Sequence, residues 1–279
     1  MISYFKYILF FLTLNNAKVF SQIVIDNQYN HSLRLYNTEQ YFDAITEFKR
    51  LLFFDKGKKY EYNANQYIAM SYKMGAKYSD AIQYFTNAEM HARNNDELFD
   101  SKIEIVRTNI LRRTISHAID LLDSMKADER FSRKSGEISY WKGWAYIFND
   151  EWDKATREFS KVDSNKTLAE FCNNIQREKY SVTFADIISH IFPGSGQIYT
   201  GHYFSGILSL GWNILWGYLT INSFIDNRIF DGLVIGDLLW LRFYNGNLEN
   251  SVKYAEVENL YITNRAMDLL QNGYLLKKP

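Results

Sequence analysis

The residues best suited to chemistry in this chain lie in FPGSGQIYTGHYFSG, residues 192–206, where Gly194, Gly196, Gly201 and Gly206 surround Ser195 and Gln197. Three chemistries use glycines in this way. A dinucleotide-binding turn needs a strand before it and an acidic residue about 20 positions later, but FADIISHI precedes this one and no charged residue occurs from Ile191 to Ile225. A phosphate loop ends in Gly-Lys-Ser/Thr, and no lysine stands nearby. A nucleophile elbow reads GxSxG, and Pro193 occupies the first glycine's place. Elsewhere, the lone Cys172 excludes an internal disulfide and a cysteine-based zinc cluster. The histidines at 31, 91, 117, 190 and 202 show no HxxxH pairing, and a net charge of zero leaves no nucleic-acid footprint. The expectation is a non-enzyme with no cofactor, no metal and no nucleic acid.

What these glycines join is read from the elements around them. Aromatic residues make up 17% of the chain, so it buries many rings or sets them in a groove or at a membrane boundary. Residues 1–21 read as a signal peptide: Lys6 supplies the charge, Tyr7–Leu14 (YILFFLTL) the apolar core, and Val19 and Ser21 the small positions before Gln22. That core is too short to span a bilayer. A buried first helix is the alternative, and no cysteine supports lipoprotein processing.

The middle of the chain is periodic. Ala44, Ala81, Ala118 and Ala155 are spaced by 37 residues; Phe48, Phe85, Leu122 and Phe159 follow each by four, and Tyr41, Tyr78, Ile115 and Trp152 precede each by three. Twelve positions before each alanine stand Ser32, Ala69, Val106 and Gly143; nine before stand Leu35, Tyr72, Asn109 and Tyr146, with Asn109 the exception. This pattern predicts two antiparallel helices per repeat, with small residues meeting at the crossing and large ones filling the seam. One such pair cannot bury its apolar face alone, so the pairs stack.

The stretches YFDAITEFKRLL (41–52), YSDAIQYFTNAE (78–89) and EWDKATREFSKV (151–162) resemble the second helix of tetratricopeptide repeats, over about residues 25–163. The unit exceeds the family's usual 34 residues, so longer turns between repeats are expected, and 167–180 reads as a capping helix. The resemblance implies a surface, lined by each first helix, that binds peptides or proteins. By register it includes Tyr29, Leu33, Tyr36, Gln66, Met70, Lys73, Ile103, Arg107, Ile110, Tyr140 and Trp144. An apolar, aromatic groove of this kind suits a hydrophobic segment, although any one of these rings is equally well repeat core.

The glycine stretch then opens an uncharged region. Tyr203–Ile225 has 23 residues, enough to cross a hydrocarbon core, and Ile229–Tyr244 is a second apolar segment interrupted by Asp231, Asp237 and Arg242. Ser205/Ser209 and Gly232/Gly236 provide small-xxx-small spacing. Together they predict a transmembrane hairpin, with Asp237 near Asn213 inside it. The run Pro193, Gly194, Gly196, Gln197, Tyr199 and Gly201 resembles the opening of small bacterial two-helix membrane domains, which implies membrane insertion over about 184–245 and a turn leading the chain into lipid. Residues 248–271 read as an amphipathic helix that packs on the repeats, lies on the membrane or docks a partner.

The expected fold is all-α: a tetratricopeptide-like α-solenoid with its cap (22–180), a membrane hairpin (181–247) and a C-terminal amphipathic helix (248–279). The expected function is a membrane-tethered scaffold for protein or peptide partners of a bacterial envelope complex. Its repeats would face the periplasm, with lipid as a further partner and the inner membrane favoured over the outer. The alternatives are a transport or channel subunit using Asp231, Asp237 and Arg242 inside the bilayer and, last, an enzyme.

Overall fold

The computed structural model describes residues 22–274 and 278–279, so the expected leader lies outside the described residues. Two compact units divide at Glu170/Phe171: Met1–Glu170 with Lys277–Pro279, and Phe171–Leu276.

The first unit is built from helical hairpins packed in sequence. Helix α1 covers 22–37, α2 Tyr41–Phe54, α3 Glu61–Met74, α4 Tyr78–Met90, α5 Asn95–Leu111, α6 Ile115–Ala127, α7 Ser135–Phe148 and α8 Trp152–Phe159. The second helix of each hairpin therefore starts on the large residue three before the repeat alanine. The 37-residue period is also written in the backbone. Glu39, Ala76, Arg113 and Asp150 all adopt left-handed φ, between 55° and 66°. The next N–H in each case (Gln40, Lys77, Thr114, Glu151) donates to the carbonyl of Leu35, Tyr72, Asn109 or Tyr146 at 2.9–3.0 Å. This closes the end of each first helix as a Schellman motif does, satisfying carbonyls the helix leaves open. Connections between hairpins are longer, and the one from α6 to α7 contains a 3-10 helix at Glu129–Lys134.

The four alanines and the four large residues after them are wholly buried. Each Phe or Leu so buried contributes about 1.5–3 kcal/mol. Asn109, the exception in the pattern, is buried too. Its amide donates to Ile105 O (2.9 Å) and accepts from Thr114 Oγ1 (2.7 Å), so the polar residue closes its turn instead of filling a seam. At Gly143 an added Cβ would stand 2.5 Å from the Phe159 ring. Gly143→Ala is therefore expected to cost about 1–3 kcal/mol through overpacking. Thermal unfolding checks this, and an unshifted midpoint would mean that α7 and α8 do not meet there.

Helix α9 (Lys166–Glu178) spans the Glu170/Phe171 division and covers most of the 167–180 segment. Helix α10 (Val182–Ile191) starts under a Ser181 cap that accepts from Phe184 N, and the one-turn α11 (Ser195–Tyr199) leads into α12 (Tyr203–Ile225). Helix α13 (Ile229–Ile235), a π turn at Gly236–Leu241 and α14 (Arg242–Gly273) then follow without a break. The expected separate helix from 248 is thus the continuation of the hairpin's second arm. α14 packs back along α10 and α11. Asn259 ties it to the α9–α10 junction, accepting from Tyr180 N (2.8 Å) and donating to Tyr180 O (2.9 Å).

The transmembrane hairpin is corrected: among the described residues no helix is long and apolar enough to cross a membrane. Hydropathy over α12 is diluted by Asn213, Thr220, Asn222, three serines and three glycines. In the second arm α13 has only seven residues before the π turn, and Asp231, Asp237 and Arg242 are all exposed. The two arms do pair closely, with Gly217 against Trp240, Gly236 against Thr220 and Gly232 against Phe224.

Cys172 on α9 is buried, and burial pushes its thiol up to about 12. The folded thiol stays protonated where the unfolded one ionises, near 9. Stability therefore falls as pH rises from about 9 towards 12. A Cys172→Ala variant should lose that part of the slope in denaturant titrations, and at pH 8 the native thiol should react with a thiol reagent only as fast as the unit opens.

Candidate partner-binding face and the glycine turn

The first helices α1, α3, α5 and α7 present the residues that the tetratricopeptide resemblance pointed to. Side chains link one first helix to the next. Tyr36 of α1 meets Tyr67 of α3 edge to face at 5.0 Å, Gln66 of α3 donates to Ser101 Oγ of α5 at 2.7 Å, and Arg107 of α5 lies 4.7 Å over the Trp141 ring of α7. Glu104 sits between two cations, 3.1 Å from Lys73 and paired with Arg107. Burial pulls Lys73 below the usual ammonium range and Glu104 opposes that shift. Such a buried cluster fixes geometry more than it stabilises, since desolvation offsets most of the attraction.

Tyr29, Leu33, Tyr36, Gln66, Met70, Lys73, Arg107 and Tyr140 are half-buried. Ile103, Ile110 and Trp144 are buried and belong to the core between hairpins. Glu104, Ser101 and Trp141 were not singled out from the sequence. Each has a partner 31–35 residues away, on the preceding first helix for all three, which no local spacing rule reveals. A cavity of about 570 Å³ lies on α2 and α3, lined by Tyr41, Phe42, Ile45, Lys49 and Tyr72 among others. There Lys49 Nζ donates to Tyr72 Oη at 2.9 Å.

The glycine turn has a structural role in the second unit. Gly194 has φ 94°, and a Cβ on it would stand 2.1 Å from Gly206 O, so the start of α11 and the first turn of α12 approach backbone to backbone. Gly196 faces Ser189, Ser251 and Ala185 with no room for a side chain. Gln197 is wholly buried and Asn247 of α14 nearly so. Asn247 Oδ1 accepts from Gly194 N (2.6 Å), Gln197 Nε2 (3.0 Å) and Ser209 Oγ (2.9 Å), while its amide donates to Ser189 O (3.2 Å). Tyr199 Oη accepts from Ser181 N at 3.1 Å. Pro193 and Gly201 complete the turn, Gly201 with φ 84°. The run thus knots α10, α11, α12 and α14 together around one asparagine.

The expected placing of Asp237 beside Asn213 is corrected. Asp237 is exposed, whereas Asn213 is buried and donates to Ser209 O at 2.9 Å. The register explains the miss: Trp240, one turn beyond Asp237, is the residue that meets Gly217. Among the described residues no group of three or more His, Cys, Asp or Glu is placed to hold a metal. No family model, curated protein or solved structure matches the chain.

Proposed function

We propose that the chain is a non-enzymatic adaptor whose stacked hairpins, tetratricopeptide-like in register, hold a protein or peptide partner on the face of α1, α3, α5 and α7. The observation carrying this reading is the half-buried row of Tyr29, Tyr36, Gln66, Met70, Arg107 and Tyr140, which mixes rings with donors, the composition of interface anchors. A photocrosslinker in place of Met70 in living cells tests it. A discrete adduct that disappears with Tyr36→Ala and Gln66→Ala is expected. A set of adducts unchanged by those substitutions would remove the face as the binding surface.

An exposed apolar surface on the second unit supports the reading of a chain that works against a bacterial envelope membrane. The outer surfaces of α12 and α13 expose Phe204 (81%), Ile207, Ile214, Tyr218, Ile225 and Phe230 (76%). So large an apolar surface is expected to lie against lipid or a partner. With the leader expected at 1–21, we infer that the repeats face the periplasm, the inner membrane being favoured over the outer. Flotation of the full chain with phosphatidylethanolamine/phosphatidylglycerol vesicles checks the lipid half. Binding should drop at least tenfold in a Phe204→Glu, Ile214→Glu variant. Full recovery of that variant with the vesicles would refute a lipid-facing hairpin. The transport-subunit reading needs Asp231, Asp237 and Arg242 inside a bilayer, and among the described residues no helix is long and apolar enough to carry them there.

A further inference from the structure

The face assigned to partners already carries a segment of the chain itself. Arg107 Nη2 donates to the backbone carbonyl of Lys278 at 2.7 Å, across 171 positions of sequence. Lys278 and Pro279 are half-buried, and the last residues sort with the first unit by their contacts. The site that takes them is prepared in advance. Glu104 fixes one arm of the guanidinium, and Trp141 supports its plane. A side chain held in this way loses little further rotamer freedom when it binds. The contact is to the main chain of Lys278, so it reads the backbone of a residue held extended ahead of a proline. Pro279 contributes to that, because the residue before a proline is restricted to extended conformations. Arg107 Nε is buried with no hydrogen-bond partner among the described residues, so the guanidinium retains a donor that this segment does not use.

We propose that the Lys278–Pro279 segment is an intramolecular ligand of the Arg107 face, and that the face accepts an extended peptide only when this segment leaves. The proposal rests on the partner-binding reading of the face and adds what occupies it at rest. A tethered ligand acts at an effective concentration near the millimolar range. A free peptide that binds the open face in the 10–100 μM range should therefore bind the full chain about 10- to 100-fold more weakly.

The probe is a labelled peptide of residues 274–279, Tyr-Leu-Leu-Lys-Lys-Pro, titrated by fluorescence anisotropy into the full chain and into a variant ending at Gly273. The shortened chain should bind it at least tenfold more tightly, and Arg107→Gln in that chain should lose the gain. Arg107→Gln leaves Glu104 with one cation fewer, so its melting midpoint is measured alongside. The reversed peptide, Pro-Lys-Lys-Leu-Leu-Tyr, serves as a control that needs no variant to fold: its failure to bind supports the proposal. Equal affinity of the two chains for the forward peptide, or equal binding of forward and reversed peptides, overturns it. Such a result leaves the Met70 crosslinking test of the face unaffected, so the two readings fail separately.

Discussion

Asn247→Leu is expected to unfold the second unit at temperatures where the first remains helical. Leucine shares asparagine's branched heavy-atom skeleton, though it is bulkier, and it supplies no side-chain acceptor for Gly194 N, Gln197 Nε2 and Ser209 Oγ, which all converge on Asn247 Oδ1. Gly194 and Gln197 are buried. Each buried donor left without a partner costs about 1–3 kcal/mol, so a loss on the order of 3–6 kcal/mol follows. That is a large share of what a domain of this size has to spare. Gly194→Ala reaches the same result by another route, because its Cβ would meet a backbone oxygen that no side-chain rotation can move. Hydrogen exchange resolved along the chain is the suitable measurement. Protection should collapse through α10, α11, α12 and the facing part of α14, with α2–α8 unchanged. Native protection in α11 and α12 of either variant would mean that the knot around Asn247 does not hold the unit together.

The physical reason that the repeats were legible and the surroundings of the 203–244 hairpin were not lies in what each pattern measures. Positions 44, 81, 118 and 155 recur because every hairpin solves the same crossing problem, and a small residue is its only solution. Spacing alone therefore recovers the seam. Even the left-handed residues at 39, 76, 113 and 150 follow that spacing, though their types (Glu, Ala, Arg, Asp) carry no mark of it. The 203–244 stretch was read from its lack of charge. Lack of charge does not tell whether Asn213 and Ser209 face lipid or a neighbouring helix; here Asn213 is buried and Ser209 donates to Asn247 of α14. The glycine run was legible as a turn, but its role was not. The asparagine that organises it stands 50 residues on from Gln197, beyond any local spacing rule. Of the positions that register assigned to the proposed partner face, Ile103, Ile110 and Trp144 are buried and the others half-buried. Ile110 and Trp144 show that a residue on the face-bearing helix is not for that reason on the face, since a stacked array covers part of each first helix with the next.

Ala81→Arg is expected to have the largest effect in the first unit. Ala81 is wholly buried and packs with Ala69, Phe85 and Ile105, where α4 crosses its neighbours in the interior of the array. The arginine stem needs volume that a close-packed seam lacks, and overpacking of this kind costs about 1–3 kcal/mol. Its guanidinium would be drawn into an apolar cluster with no acceptor, adding several kcal/mol unless the helices part to let it reach water. The expected loss is therefore at least about 4 kcal/mol, at the upper end for single substitutions. Stability in a stacked array depends on each repeat and its neighbours, so a break at the second hairpin also uncovers the faces of the first and third. Thr86→Arg, on the exposed side of the same helix, adds the same charge without entering the seam and should stay within about 0.5 kcal/mol of the parent. Chemical unfolding of both variants, followed by far-UV circular dichroism, separates the two cases. If Ala81→Arg and Thr86→Arg unfold at the same denaturant concentration, the alanine spacing does not mark the helix crossings and the repeat register fails with it.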